Sequence, residues 1–246
     1  MKTIKSIDKA VQILDCFVEH EELGITEIVK LTGFAKSTIY DTVSTLVFHQ
    51  YLSQNEENSK YSLGIRLFQL GGLFDKRNEL TKRAAAQCQQ LSEKWNATVH
   101  LAIPDHGNVI YIGKYEQQEG MVSASFIGKR LPMIATGLGK AMMAYLGQEY
   151  IEKYVLVKPF PKFTPNTIDN KKDLLADCQA TLKRGYAIDN EEISIGLKCV
   201  AAPIFGAQGE VVAALSVSKL TPGMVEGDIE RIAQDVTALA RHLSTN

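Results

Sequence analysis

The sequence lacks a long apolar run and any closely spaced pair of cysteines. No stretch approaches the roughly 18 consecutive apolar residues that a membrane-spanning helix needs. Charged residues interrupt the apolar residues at the N-terminus, so we expect no signal peptide. The four cysteines lie far apart and form no CxxC pair, which argues against a zinc ribbon or a thioredoxin-like site. Reduced thiols in a cytoplasmic protein are the simplest interpretation.

The sequence also lacks an excess of charge of either sign. Its 246 residues predict one or two domains. A content of 45% apolar and 22% charged residues argues against a disordered, coiled-coil or collagen-like chain. The formal net charge is −1, whereas a nucleic-acid-binding domain is typically basic. Bulk charge therefore gives no support to a nucleic-acid partner.

The first 66 residues have the pattern of a small helical domain that ends in a hairpin. Ser6 can cap a first helix. The apolar stripe of this helix comprises Ile7, Val11, Leu14 and Val18, with Ala10, Ile13 and Phe17 beside it. A short helix, EIVKLTG, ends at Gly33, and a third helix follows from about Lys36 to His49. Two short strands, YLSQ and YSLG, flank a polar turn.

The short joint around Gly33, between the second and third helices, is typical of a helix-turn-helix. With the hairpin behind it, the segment is predicted to be a winged helix-turn-helix. A plain small helical subdomain is the alternative.

A connecting segment and a mixed α/β half follow. Residues 67–78 are apolar around Gly71 and Gly72, and we expect this helix to pack against a second copy of the chain. After it we expect a helix that ends near Trp95 and a hairpin formed by TVHLAIP and NVIYIGKYE. The segment IGKRLPM is expected to be a loop before a helix that starts at Thr136 or Gly137. The strands YAID, LKCVAAPIF and VVAALSVS precede a final amphipathic helix.

Six motifs occur in a distinctive order: KSTIY, YSLG, LPMIATGLGKA, RGYAIDNEE, GLKCVAAPIF and VVAALSVS. Their order and spacing over nearly the whole chain resemble the IclR family of bacterial transcriptional regulators. The resemblance implies an α+β two-domain protein. Its parts would be a winged helix-turn-helix over residues 1–66, a linker helix over 67–78 and a GAF-like α/β effector-binding domain over 79–246. It also implies a homodimer or homotetramer on a near-palindromic DNA operator, with no cofactor, no metal and no membrane partner.

The third helix carries the candidate DNA contacts, because in a helix-turn-helix its N-terminal residues enter the major groove. The face opposite the predicted core positions presents Lys36, Ser37, Thr38, Tyr40, Asp41 and Ser44. Hydroxyls can donate to phosphates or base edges, and a carboxylate can accept from the cytosine amino group. Family members commonly carry Arg where Asp41 stands, so the base preference departs from the family pattern.

The charge of this half is acidic. Residues 1–66 contain seven basic and nine acidic side chains, with Lys2 and Lys5 on an N-terminal arm and Lys36 at the start of the third helix. We therefore expect few phosphate contacts per subunit and a shallow dependence of DNA affinity on salt.

The segment at the start of the helix near Gly137 is the first part of a candidate effector pocket. The amides of Gly137 and Leu138 lie at a helix N-terminus, which attracts anions. The alternative is a simple Thr136 cap with a packing glycine. Lys140 is not a P-loop lysine, because Ile134 stands where a Walker motif has glycine.

Two strands supply the rest of the pocket. Leu197 and Cys199 share one strand face, and Ser216 and Ser218 share another. A buried hydroxyl needs a partner, so a serine pair in an apolar strand suggests a ligand or a polar network. By resemblance, the family's pocket is lined here by Leu131, Gly137, Leu138, Asp189, Leu197, Cys199, Ser216 and Ser218. The implied effector is a small organic acid or sugar acid.

Three functions remain open from the sequence. The leading one is an effector-responsive DNA-binding regulator, in the family's commoner mode a repressor of a catabolic operon. A sensor module that acts through a protein partner is an alternative, because the wing NEENSK is acidic. An enzyme with Cys199 as nucleophile is a weaker alternative, since no neighbouring motif supplies a base. His100 and His106 flank a turn without a clear third metal ligand.

Overall fold

The computed structural model describes residues 3–77, 79–117, 125–157 and 159–245. The chain divides into two compact units, Met1–Asn78 and Glu79–Asn246. Lys2 of the predicted N-terminal arm lies outside the described residues. In those residues, no helix combines the length and the apolar character needed to cross a membrane.

The first unit is a winged helix-turn-helix, as predicted. Its elements are α1 (Lys5–Asp15), α2 (Ile25–Thr32), α3 (Lys36–Phe48), β1 (Leu52–Gln54), β2 (Tyr61–Leu63) and α4 (Ile65–Arg77). The strands β1 and β2 pair antiparallel with Leu52 opposite Leu63. Gly33 ends α2 with a positive φ of 71°, a conformation that glycine adopts without steric cost. This turn places α3 directly after α2.

The prediction that Ser6 caps α1 is wrong. The N-cap residue is Ile4 and no side chain caps the helix, so Ser6 lies inside the first turn. The stripe that contains Ile7 and Val11 is exposed, whereas Ile13 and Phe17 are buried against the rest of the unit. The helix carries apolar residues on two adjacent stripes, and periodicity alone does not say which stripe faces α2 and α3.

The helix α4 begins at Ile65, two residues before the predicted boundary. Phe68 and Leu73 on this helix are exposed to solvent in the single chain. Packing of α4 against a second copy remains a prediction. The side chain of Phe74, also assigned to the apolar stretch, lies outside the described residues.

The second unit contains a six-stranded antiparallel sheet with the strand order β5-β4-β3-β8-β7-β6. Its helices are α5 (Glu79–Trp95), α6 (Gly137–Tyr150), α7 (Lys171–Arg184) and α8 (Asp228–Leu243). Its strands are β3 (Thr98–Asp105), β4 (Asn108–Tyr115), β5 (Arg130–Pro132), β6 (Ala187–Asn190), β7 (Leu197–Phe205) and β8 (Val211–Leu220). The segment IGKRLPM is therefore not entirely a loop, because β5 lies in it and pairs with β4.

Both faces of this sheet are covered, and strand alternation sorts the side chains between them. One apolar cluster joins Val99, Val200 and Val217 to residues of α5 and α8. The other joins Ala201 and Ala214 to residues of α6 and α7. The polar strand residues that matter for function belong to the face on the α6 side.

Candidate functional site

The face of α3 opposite the core presents the six candidate DNA contacts. Ile39, Val43 and Leu46 are buried, as the spacing predicts. Thr38 is half-buried, and the other five are exposed: Lys36, Ser37, Tyr40, Asp41 and Ser44. The hydroxyls and the carboxylate on this face are thus available to base edges and phosphates.

A cavity of about 420 Å³ lies in the second unit. All eight residues of the predicted effector pocket line it: Leu131, Gly137, Leu138, Asp189, Leu197, Cys199, Ser216 and Ser218. Residues that are far apart in sequence are brought together because β4 and β5, the start of α6 and the strands β6–β8 converge here. A volume of this order accommodates a small organic ligand.

The N-terminus of α6 forms one wall of the cavity. The Thr136 hydroxyl accepts a hydrogen bond from the Gly139 amide at 3.0 Å, and the Lys140 amide donates to the Thr136 carbonyl at 2.9 Å. The amides of Gly137 and Leu138 are therefore the two that the helix leaves without an intrahelical partner. The threonine cap is thus present, and the binding of an anion by the two remaining amides stays a prediction.

Glycine is needed on this turn for packing. A Cβ on Gly139 would lie 2.2 Å from the Cα atom of Met133, so no other residue fits there without movement. A Cβ on Gly137 would lie 3.4 Å from the Cβ of Cys199, which is ordinary contact. The start of α6 thus lies directly against β7, beside the cavity.

Polar side chains of β3 and β8 form another part of the cavity lining, namely His100, Ser216 and Ser218. His100 pairs in register with Ser216, and Thr98 pairs with Ser218. His100 Nδ1 lies 3.3 Å from Ser218 Oγ, and its Nε2 lies 2.9 Å from Ser125 Oγ. The imidazole also stacks on Tyr111 with 4.9 Å between ring centroids. The buried Ser218 hydroxyl of β8 thus has a partner, His100, in a polar network at the cavity wall.

Burial controls the protonation of this wall. It lowers the pKa of His100 to about 3, and the charge of Lys114 acts in the same direction. It raises the pKa of the Cys199 thiol well above its usual range, with a further contribution from Asp189. At neutral pH the imidazole is therefore neutral and the thiol protonated, which is unsuited to a nucleophilic thiolate.

Asp189 places a buried carboxyl group in the cavity lining. Burial raises its pKa to about 7, although a hydrogen bond from the Glu192 amide opposes the shift. That amide lies 2.7 Å from Asp189 Oδ1. The other oxygen, Oδ2, has no hydrogen-bond partner in the described part of the chain, although the Cys199 thiol is near enough to affect the pKa. A ligand hydroxyl is a suitable partner for this atom.

Sequence reasoning did not assign several residues to the cavity. They are His100, Tyr111, Ser125, Lys129, Thr136, Phe163, Ile193, Ser194, Ile195 and Leu220. For His100 a signal was present, because Thr98 and His100 alternate on β3 as the two serines do on β8. The residues from loops carry no such pattern. Across the described ranges, no group of three or more His, Cys, Asp or Glu side chains could hold a metal ion.

Comparison with known proteins identifies both units. A model of the IclR helix-turn-helix domain matches residues 6–56, and a model of the bacterial transcriptional regulator IclR C-terminal domain matches residues 75–245. The HTH-type transcriptional regulator XynR of Escherichia coli is 37% identical over 99% of this chain and 98% of its own length. The regulator KdgR of the same organism is 31% identical over 98% of this chain and 92% of its own length.

The fold has counterparts among solved structures. An IclR transcriptional regulator from Alicyclobacillus acidocaldarius superposes with a TM-score of 0.85 at 26% identity. The match covers 99% of this chain and 98% of the other. The likeness therefore extends over both units.

Proposed function

The chain belongs to the IclR family of bacterial transcriptional regulators, and from this premise we propose that it represses a catabolic operon under the control of a small carboxylate effector. It is a transcriptional regulator with a helix-turn-helix DNA-binding domain, and its relatives are named regulators and not enzymes. One observation carries the proposal: all eight candidate effector residues line the same cavity. In this proposal the protein acts in the cytoplasm.

Two copies of the chain bind a near-palindromic operator through α3, as a homodimer or within a homotetramer. The exposed polar face of α3 supports this arrangement, with Lys36 and Ser37 at the helix start. A helix-turn-helix dimer reads two half-sites about one DNA turn apart. The exposed apolar side chains of α4, among them Phe68, supply a surface that a second copy can cover.

The effector is a small organic acid or sugar acid. Its carboxylate binds the amides of Gly137 and Leu138, where the helix dipole favours negative charge. Its hydroxyl or keto oxygens bind Asp189, Ser216 and Ser218. Asp189 must then be protonated, or must accept from a ligand hydroxyl, because an ionised carboxylate repels the ligand's own carboxylate. Binding shifts the population between states of different operator affinity.

An electrophoretic mobility shift assay tests this proposal. The full-length protein is mixed with DNA from upstream of its own gene, with or without pyruvate, D-gluconate or benzoate. We expect a sequence-specific shift and a change of about tenfold or more in operator affinity with one of these acids. Asp189→Ala should remove the response to the acid and leave operator affinity unchanged.

The control variant is Glu149→Ala, which removes an exposed carboxylate from the same unit and should preserve the response. Equal loss of operator binding and effector response in Asp189→Ala would contradict the pocket assignment. Absence of any DNA shift, together with a purified protein partner that responds to the acid, would favour the sensor module.

A further inference from the structure

Lys140 is a buried lysine that the effector site described above does not use. It lies in the second turn of α6 and its side chain is only 2% exposed. Its ammonium group forms an ion pair with the Glu192 carboxylate, which is also buried. Lysine is almost never fully buried unless it is paired, and the loss of one partner leaves an uncompensated charge in the interior. The pair is therefore a strong constraint on the position of Glu192.

Other charges around Lys140 are weaker partners. Asp177 Oδ2 lies 3.5 Å from the Lys140 ammonium, at the limit of an ion pair. Arg184 approaches the other oxygen of Asp177 at 3.7 Å. Asp177 is thus shared between two cations, whereas Glu192 makes the close contact with Lys140.

Glu192 belongs to residues 191–196, which we call the β6–β7 loop. Its backbone amide donates to Asp189 Oδ1, and its carbonyl accepts from Thr167 Oγ1 at 2.6 Å. The three residues that follow Glu192 in the loop line the cavity: Ile193, Ser194 and Ile195. The position of Glu192 therefore determines both the orientation of Asp189 and the placement of a cavity wall.

Glu191, the first residue of the loop, connects the last residue of the loop to the rest of the unit through its side chain. It has a positive φ of 62°, and its carboxylate accepts from the Gly196 amide at 3.0 Å and from the Thr221 hydroxyl at 3.2 Å. The Thr164 hydroxyl also donates to the Glu191 carbonyl at 2.7 Å, so the loop is attached at several points. Lys140 makes the attachment that reaches α6, the helix whose first residues line the cavity.

We infer that Lys140 is a positioning residue: through Glu192 it holds the β6–β7 loop against the cavity and Asp189 in its orientation. Lys140 is not among the described residues that line this cavity, so it does not contact a ligand there, although its charge also lowers the pKa of Asp189. The consequence for effector affinity rests on the proposed function, whereas the effect on the loop does not. Release of Lys140 from Glu192 opens the cavity at this wall.

Hydrogen exchange of the full-length protein without ligand, read by mass spectrometry, tests the inference. Lys140→Met removes the charge and keeps an unbranched side chain. We expect the hydrogen-bonded amides of Glu192 and Gly196 to exchange about tenfold or more faster than in the wild type, while those of β7 and β8 keep their rates. A merely structural role would accelerate exchange throughout the second unit. Lys140→Arg should retain most of the protection, and Lys172→Met, at an exposed lysine of α7, should change nothing.

The double variant Lys140→Met/Glu192→Gln keeps the test decisive if Lys140→Met does not fold, because it buries no unpaired charge. If Lys140 acts through Glu192, the loop of the double variant exchanges no faster than that of either foldable single variant. Additive acceleration, or protection equal to that of the wild type, overturns the inference.

A second arm connects the loop to the ligand. The acid that proves active among pyruvate, D-gluconate and benzoate should bind Lys140→Met about tenfold more weakly, with faster dissociation. Equal affinity would overturn the positioning role. If none of the three acids binds the wild type, the proposed effector class fails, and the exchange experiment still decides the role of Lys140.

Discussion

Burial of the Asp189 carboxyl predicts that this group's contribution to the stability of the folded protein is lost as the pH rises from mildly acidic to neutral. The ordinary pKa of an aspartate is 3.8, and burial raises that of Asp189 to about 7 in the folded protein. Between these values the folded state binds a proton that the unfolded state has lost. The contribution of Asp189 to the free energy of unfolding therefore falls by about 1.4 kcal/mol for each pH unit in this range, or about 4 kcal/mol in all. His100, whose pKa burial lowers from 6.5 to about 3, changes the stability in the opposite direction, so a comparison with a variant is needed to isolate Asp189.

Asp189→Asn removes the titration and keeps the oxygen that accepts from the Glu192 amide. At pH 4.5 both the wild-type carboxyl and the variant amide are neutral in the folded state. At pH 8 the wild type must bury a carboxylate, whereas the variant does not. Relative to the wild type, we expect the variant to gain about 3 kcal/mol of stability between pH 4.5 and pH 8.

Urea unfolding followed by tryptophan fluorescence measures this difference. Trp95 is the single tryptophan of the chain and lies on α5, so its emission reports on the second unit. Its indole N–H donates to Asp235 of α8 at 2.8 Å, a contact that unfolding breaks. Glu149→Gln serves as the control and should show no pH-dependent difference from the wild type. Parallel pH profiles of the wild type and Asp189→Asn would refute the reasoning.

Two further predictions concern the start of α6 and the start of α3. Thr136→Ala removes the cap on the Gly139 amide and should lower the free energy of unfolding of the second unit by about 1 kcal/mol, which Thr136→Ser restores. The Trp95 unfolding assay measures both variants, and a stability of Thr136→Ala equal to that of the wild type would exclude a capping role. Lys36→Ala should reduce the slope of log affinity against log salt by about 1 for each half-site, with similar losses on all DNA sequences. Fluorescence anisotropy over a salt series measures the slope, Lys172→Ala is the control, and an unchanged slope would remove Lys36 from the phosphate contacts.

Much of the fold and of the candidate site could be predicted because the relevant patterns are local. The spacing of Ile39, Val43 and Leu46 determines which face of α3 is exposed, and alternation along β8 places Ser216 and Ser218 on one face. Alternation likewise places Leu197 and Cys199 on one face of β7, and the start of α6 locates Gly137 and Leu138. Leu131 and Asp189 were assigned to the pocket by the resemblance alone. The motif LPMIATGLGKA contains Leu131, and the motif RGYAIDNEE contains Asp189.

Long-range pairing accounts for what the sequence did not reveal. Lys140 and Glu192 are 52 residues apart, and only the tertiary fold brings a lysine from α6 to a glutamate of a loop. The partnership of His100 with Ser218 depends on the register between β3 and β8, which one sequence does not specify. The choice of the buried stripe on α1 has the same origin, because two apolar stripes are equivalent until α2 and α3 pack against one of them.

The neutral His100 lies between two serine hydroxyls and fixes the direction of the two hydrogen bonds that join them to the ring. A neutral imidazole has one N–H donor and one bare nitrogen acceptor. Ser125 and Ser218, on opposite sides of the ring, therefore take opposite roles: one donates its proton to the ring, and the other accepts from it. A ligand that exchanged these roles would require a tautomeric change of the ring. The serine that donates to the ring can only accept from a third group, whereas the serine that accepts from the ring keeps its own proton to donate.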